Sequence, residues 1–405
     1  MSHRDLIVDD RDLTRARSED RGVLSPLLIA GLALAMVFLV WFPIGRSEFT
    51  PVMWLWVLVL AGFIAANLLI PRASRNGTAV RVMSTVCFVA FLIVFPFGRA
   101  NSTLTDFGLY AVFSVCVIGM NLMFGYAGQV SIAQAAFLGI GAYTSVLLDS
   151  GREIEAFGIV IDLPDLNFLL TVVIAIAVAM LFSILIGMAG LRVRGPWLAF
   201  VTLAFNVLVY IVFNNEVGIT NGSRGIIVRR QDLEVLGIDM TPLQNYYYLC
   251  LAFLVLTMVI VWWIVRSPWG RSFKAIRDNS QRASSLGIDV RTYTLLAFAI
   301  GSGLAGGAGA LYARLLEYIE PRSFFLGQSF DFLFATVIGG LGTLAGPLIG
   351  TSFITIISDS LRVLGDWYRF WFGLLAIVVL IVAPRGIAGS FNLLRARIAA
   401  KRRGS

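Results

Sequence analysis

Few side chains in this sequence could do chemistry within its long apolar runs. Asp106, Asp331 and Asp359 are the carboxylates set in or beside them. Asp106 and Asp331 suit a proton or cation relay, but each stands close enough to a run's end for its carboxylate to reach water. No carboxylate pair sits mid-run, so acid–base catalysis is a poor reading and the chain is not expected to be an enzyme. A second set is uncharged. Gln129, Ser131 and Gln134 fall within GYAGQVSIAQAAFLGIGAYTSVLL, and Thr202 and Asn206 are four apart, sharing a helix face. Amides and hydroxyls are costly in hydrocarbon unless hydrogen-bonded, so these five are the candidates to line a solute pathway.

Other chemistries find little support. His3 is the sole histidine, and Cys87, Cys116 and Cys250 are scattered through apolar stretches, which offers no metal or disulfide framework. No Gly-Lys-Ser/Thr phosphate loop is present, so ATP chemistry would have to come from a partner.

These residues are carried by a chain of 405 residues, 58% hydrophobic and 14% charged, with mean hydropathy +0.84. Soluble domains carry roughly a quarter charged residues, so this composition belongs to the membrane class. The net charge of +8 resides in loops between apolar runs, which is the positive-inside pattern and needs no polyanion partner.

Residues 1–22 read as a polar cytoplasmic tail, and residues 23–99 hold three nearly featureless spans at 24–44, 52–70 and 80–97. A longer core follows at 100–387, and a basic cytoplasmic tail at 388–405. Within the core, spans are expected at 104–124, 167–190, from Pro196 to about Asn214, 246–265, 292–313 and 367–383. Two regions break the pattern. Gly125 and Gly128 interrupt the first, ahead of Gly139 and Gly141, and Gly339, Gly340, Gly342 and Gly346-Pro347 interrupt 327–357. The second cannot be one regular helix. If it forms two shorter segments, the basic C-terminal tail lands inside with the other basic turns, giving about ten to twelve segments in all. A repeated pair of glycine-broken segments is a pointer to a transporter's pathway, although close packing through small residues accounts for many of the same glycines.

Between two spans lies SPWGRSFKAIRDNSQRASSLGIDVR, within the cytoplasmic loop 266–291. Read as one helix over 269–287, it places Phe273, Ile276 and Ala283 near one face, spreads Arg271, Lys274, Arg277 and Arg282 over the others, and stops at Gly287. Thr220 to Ile226, TNGSRGI, opens an external loop.

At this point the residues resemble a family, the LivM-type permeases of branched-chain amino acid ABC transporters. The likeness rests on PWGRSFKAIRDNSQRASSLGIDV together with GYAGQVSIAQAAFLGIGAY, LRVRGPWLAFVTLAF, TNGSRGI, FAIGSGLAGGAGALYA and SFDFLFATVIGGLGTLAGPLIG, in the family's order over roughly 109–387. It implies an all-α, polytopic permease subunit in a bacterial inner membrane, both termini cytoplasmic. Its partners would be a LivH-type permease, two ATP-binding subunits and a periplasmic solute-binding protein. ATP and Mg would reside in the partners, with no cofactor or metal in this chain. Gly270, Arg271, Ala275, Ile276, Arg277, Asp278 and Gly287 match the coupling segment, with Phe273 and Ile276 expected to plug an apolar cleft on the ATPase. The chain departs from the family at Ser280, usually acidic, Ser284, usually alanine, Gln134, often histidine, and Asn221, often glycine. The last two bear on the solute, since the same pattern serves urea, short amides and aromatic acids. The competing class is a standalone proton- or sodium-coupled carrier using Asp106 or Asp331.

Overall fold

The computed structural model describes residues 101–149, 153–156, 159–162, 166–190, 197–228, 233–235 and 237–361, with isolated positions beyond. The spans expected at 24–44, 52–70 and 80–97, most of 367–383, both tails and the Arg192–Arg194 turn lie outside the described residues. Two compact units are distinguished, residues 55–355 with 385–405, and residues 1–54 with 356–384. In the second, Trp367 stands edge-on to Phe370 at 6.0 Å.

Nearly all described residues belong to the first unit. Helix α1 (Asn101–Met120) continues through a π-helical turn (Asn121–Tyr126) and is followed by α2 (Gln134–Asp149). A hairpin of β1 (Glu153–Ala156) and β2 (Ile159–Asp162) leads to α3 (Phe168–Gly190), α4 (Trp197–Asn215) and the single turn α5 (Val217–Thr220). Then come β3 (Ile226–Ile227), β4 (Glu234–Val235), β5 (Ile238–Asp239) and α6 (Leu243–Arg266). The polar segment forms α7 (Pro268–Asp278) and α8 (Ser280–Ser285). Helix α9 (Val290–Leu316), β6 (Tyr318–Ile319), α10 (Leu326–Gly339) and α11 (Gly346–Leu361) complete the order. The strands are two to four residues long and sit in connections, so the architecture is all-α and polytopic.

Among the described residues, five helices are long and apolar enough to cross a membrane: Asn101–Tyr126, Phe168–Gly190, Leu198–Asn215, Leu243–Arg266 and Val290–Leu316. At 1.5 Å per residue, the 14 residues of α10 reach only about 21 Å, short of the ~30 Å hydrocarbon core. Helix α10 is a partial crossing. The break expected in 327–357 is present, with α10 and α11 meeting at the glycines.

Helix α9 is the centre. It is buried almost throughout and packs on α1, α2 and α3. Its small residues let backbones meet directly. A Cβ on Gly141 of α2 would strike the Gly306 carbonyl, one on Gly309 would strike the Leu138 carbonyl, and Gly119 and Gly301 face each other in the same way. Between lipid-facing helices such contact, with no hydrophobic gain available, is what holds a bundle together. By contrast α3, α4 and α6 leave Leu181, Phe200, Leu208, Val255 and Trp263 exposed along their outer sides.

One end of the bundle ties its loops together. Ile226 pairs with Ile319 in the two-residue ladder β3–β6, and the Tyr318 hydroxyl donates to the Arg224 carbonyl at 3.0 Å. At the same end Asp149 and Arg314 form a buried ion pair, their side chains 12% and 7% exposed, and the guanidinium lies 5.9 Å from the Phe168 ring. The opposite end carries α7 and α8.

Gly309→Val should destabilise the bundle by about 2 kcal/mol or more, the cost of overpacking a site where backbone meets backbone. The check is thermal unfolding in detergent, with Gly327→Ala, a position with no atom in the way, expected to leave the midpoint unchanged.

Candidate functional site

A break inside an apolar bundle frees amides and carbonyls that lipid cannot satisfy. After Tyr126 the chain does not turn back at once. Residues 127–133 run into the bundle without helical structure, and α2 starts at Gln134. The Gln134 Nε2 donates to the Cys116 carbonyl at 2.9 Å and to the Gly301 carbonyl at 3.2 Å, both well inside their helices. Helix α2 thus begins within the bundle, as a discontinuous helix does.

Its first amides find side-chain acceptors. Ile132 N–H donates to Thr202 Oγ1 at 3.0 Å, Ala133 N–H to Ser131 Oγ at 3.3 Å, and Ala135 N–H to Ser329 Oγ at 3.0 Å. Asn206 Nδ2 donates to the same Ser329 oxygen at 3.0 Å. The structure therefore brings Ser131, Gln134, Thr202 and Asn206 together around the start of α2, all fully buried. Two acceptors are left over, since Gln134 Oε1 and Asn206 Oδ1 have no hydrogen-bond partner. Gln129 is half-buried nearer the α7 end and does not join them. Ser329 was missed in the sequence. Its signal was a hydroxyl one turn into a broken apolar segment.

Asp331 lies two residues beyond Ser329, so its side chain leaves α10 on roughly the opposite face from this cluster. Asp106 is exposed near the start of α1.

The two glycine breaks and the polar segment converge at the other end of this stretch. Asn121, 2% exposed, donates through Nδ2 to the Thr343 carbonyl at 2.8 Å, and its Oδ1 accepts from Gly342 N–H at 2.9 Å. Arg277 Nη1 donates to the Gly125 carbonyl at 2.8 Å. The last carbonyls of a helix have no amide partner of their own, and the guanidinium supplies one. Gly128 comes so close that a Cβ there would lie 3.1 Å from Arg277 Cγ. Gly342 takes φ +69, a left-handed value that favours glycine, while Gly339, Gly340 and Gly346 shape the rest of that turn.

The polar segment is not one helix, as its sequence suggested. Asn279 takes an extended conformation, φ −164 and ψ 106, and caps α8 by accepting from Arg282 N–H at 2.9 Å. An asparagine side chain that can cap competes with helix continuation. Pro268 opens α7, and Gly270 fits a corner where any Cβ would strike the Val265 carbonyl. Gly287, φ +82, ends α8, with Ile288 N–H reaching back to the Ala283 carbonyl at 3.1 Å and Gly287 N–H to that of Ser284 at 3.0 Å.

Phe273 and Ile276 are buried within this chain, at 0% and 4% exposure, with Phe273 edge-on to Tyr293. They fix α7 to α9 and are not available to plug a partner's cleft. The apolar side chains facing out are Trp269 and Leu286, at 43% and 80% exposure, beside exposed Arg271 and Asp278. Ala275 is half-buried.

Asn221, where the family often has glycine, takes φ 60 and ψ 17, and its Nδ2 donates to the Gly225 carbonyl at 2.8 Å. Asparagine tolerates the left-handed region, so this departure keeps the turn and does not reach the buried cluster.

Together the fold and site define a multi-pass membrane permease with interrupted helices. The family of branched-chain amino acid transport system permease components matches residues 101–384, and the chain belongs to it. It is 26% identical over 337 residues to the high-affinity branched-chain amino acid transport system permease protein LivM of Escherichia coli K12, covering 78% of this chain and 76% of that one. It is also 28% identical over 294 residues to the permease protein LivH of the same organism, 69% of this chain and 92% of that one. Over 141 residues it is 31% identical to the autoinducer 2 import system permease protein LsrC of Salmonella paratyphi B, 33% of this chain and 40% of that one. No solved structure gives a significant match.

Asp289 caps α9, accepting from Arg291 N–H at 3.1 Å, Thr292 N–H at 3.3 Å and the Thr292 hydroxyl at 2.5 Å. The Thr292 hydroxyl, followed by its amide, holds the Asp289 carboxyl below the usual carboxylate range. A depressed folded pKa gives stability that is present above the unfolded value and lost as pH falls through the folded one. Amide protection factors at Arg291 and Thr292 should accordingly hold from neutral pH through the ordinary carboxylate range and drop below it. In Asp289→Ala they should be low at every pH, as hydrogen exchange would read out.

Proposed function

We propose that this chain is the LivM-like half of an ATP-driven importer of branched-chain amino acids in a bacterial inner membrane, with both termini cytoplasmic. A LivH-type permease forms the other half of the pathway. Two ATP-binding subunits dock on the face of α7 and α8, and a periplasmic solute-binding protein delivers the amino acid to the end where β3 pairs with β6. The chain itself holds no ATP or Mg. The observation that carries the reading is the hydrogen bond from Arg277 of α7 to the Gly125 carbonyl, which seats a surface helix directly on an interrupted transmembrane helix.

ATP binding closes the ATPase pair and pushes on Trp269, Arg271, Asp278 and Leu286. Buried Phe273 and Ile276 make α7 a rigid lever, and Arg277 passes its displacement to the break. Alternating access then follows from rocking of the packed spans about the broken segments. In the pathway, the unpaired oxygens of Gln134 and Asn206 are acceptors for the solute's ammonium group, with Ser131, Thr202 and Ser329 holding the start of α2 in place. Gln129 stands at the inner mouth.

Arg277→Ala and Gly270→Val should each lower solute-stimulated ATP turnover about tenfold in complexes reconstituted with the partner subunits. Unchanged coupling would remove α7 from the drive. Gln134→Ala and Thr202→Ala should raise KM or lower the maximal rate for leucine, isoleucine or valine uptake. Uptake of urea, an amide or an aromatic acid in place of these would reassign the solute, and uptake persisting without ATP but collapsing with the membrane gradient would favour a secondary carrier.

A further inference from the structure

The two breaks meet at one side chain that the coupling segment does not contain. Asn121 sits in the π-helical turn that ends α1, almost wholly buried. Its amide spends both hydrogen-bonding ends on the backbone of the α10–α11 turn, at two neighbouring residues: Oδ1 takes the Gly342 N–H and Nδ2 gives to the Thr343 carbonyl. Gly125, one turn further on, is pressed between the Asn121 carboxamide and the Gly342 amide, so a Cβ there would meet both. The Gly125 carbonyl in turn accepts from Arg277, and a Cβ on Gly342 would lie 2.9 Å from Arg277 Nη1. Single π turns within α-helices are rare and often mark functional sites. Here the turn sets Asn121 toward α10–α11 and Gly125 toward α7.

We propose that Asn121 is a positioning residue that clasps the α10–α11 turn to the end of α1, so that one displacement of Arg277 moves both broken segments as a single body. The proposal rests on the importer reading above. Without the clasp, Arg277 still pulls on Gly125, but the α10–α11 turn is released from that motion. Two satisfied bonds to one buried amide fit a junction that must hold its geometry while moving, because a half-satisfied amide would be strongly disfavoured.

The test uses the complete complex in liposomes, with partner permease, ATPase subunits and leucine-loaded binding protein. Asn121→Ala should leave ATP turnover near the wild-type value while leucine moved per ATP falls about tenfold. Asn121→Asp keeps the acceptor for Gly342 and loses the donor to Thr343, and should fall between. A purely packing role predicts that turnover and transport decline together, and that outcome, or an unchanged transport ratio, overturns the proposal. A second measurement does not depend on the variant folding. Spin labels at exposed Ser285 of α8 and Leu341 of the α10–α11 turn should keep the same separation in nucleotide-free and vanadate-trapped wild-type complexes. A separation that shifts with nucleotide state while Asn121 is present overturns the proposal. Failure of the importer reading itself shows separately, as absent ATP-driven uptake by the wild-type complex.

Discussion

The constraint on which the rest of this structure depends is the hydrogen bonding of peptide groups where a helix is interrupted inside an apolar bundle. Water is not there to complete them, so the chain must bring its own partners. Thr202 on α4, Ser329 on α10 and Ser131 on the interrupted segment do so for the amides that open α2, while Arg277 does so for a carbonyl that closes the turn after α1. Each of these partners comes from a different part of the sequence. The interruption is therefore what draws α4 and α10 to the start of α2 and α7 to the end of α1, and the candidate site is the set of groups so gathered.

The second governing feature is the row of glycines along α9. With Gly301, Gly306 and Gly309 pressed against α1, α2 and α3, the interhelical distance is set by backbone van der Waals radii. Such a contact has little give.

Much of this was legible in the sequence, and the physical reasons for the remainder are specific. The breaks at Gly125 and at Gly339–Gly346 were readable because glycine and proline act locally, through φ and a missing N–H. The candidates Ser131, Gln134, Thr202 and Asn206 were readable because an amide or hydroxyl in a long apolar run needs a partner. Which partner was not readable. Ser329 and Asn121 gained their roles from groups more than a hundred residues away, and spacing carries no information on that scale. The direction of Phe273 and Ile276 was misjudged for a related reason. An amphipathic helix reveals that it has an apolar face, but not whether that face meets its own chain or another. The split at Asn279 was legible in principle, since an asparagine followed by Ser-Gln-Arg is a cap signal, and helical periodicity across it hid the break.

The ion pair between Asp149 and Arg314 bears on how the protein is made. The two residues are far apart along the chain, so on a ribosome the carboxylate emerges well before its guanidinium. A lone carboxylate is costly to dehydrate, so the Asp149 end of α2 needs the Arg314 guanidinium of α9 before it can be buried. Burial of that end of α2 is in this sense conditional on α9, and the condition is one of charge.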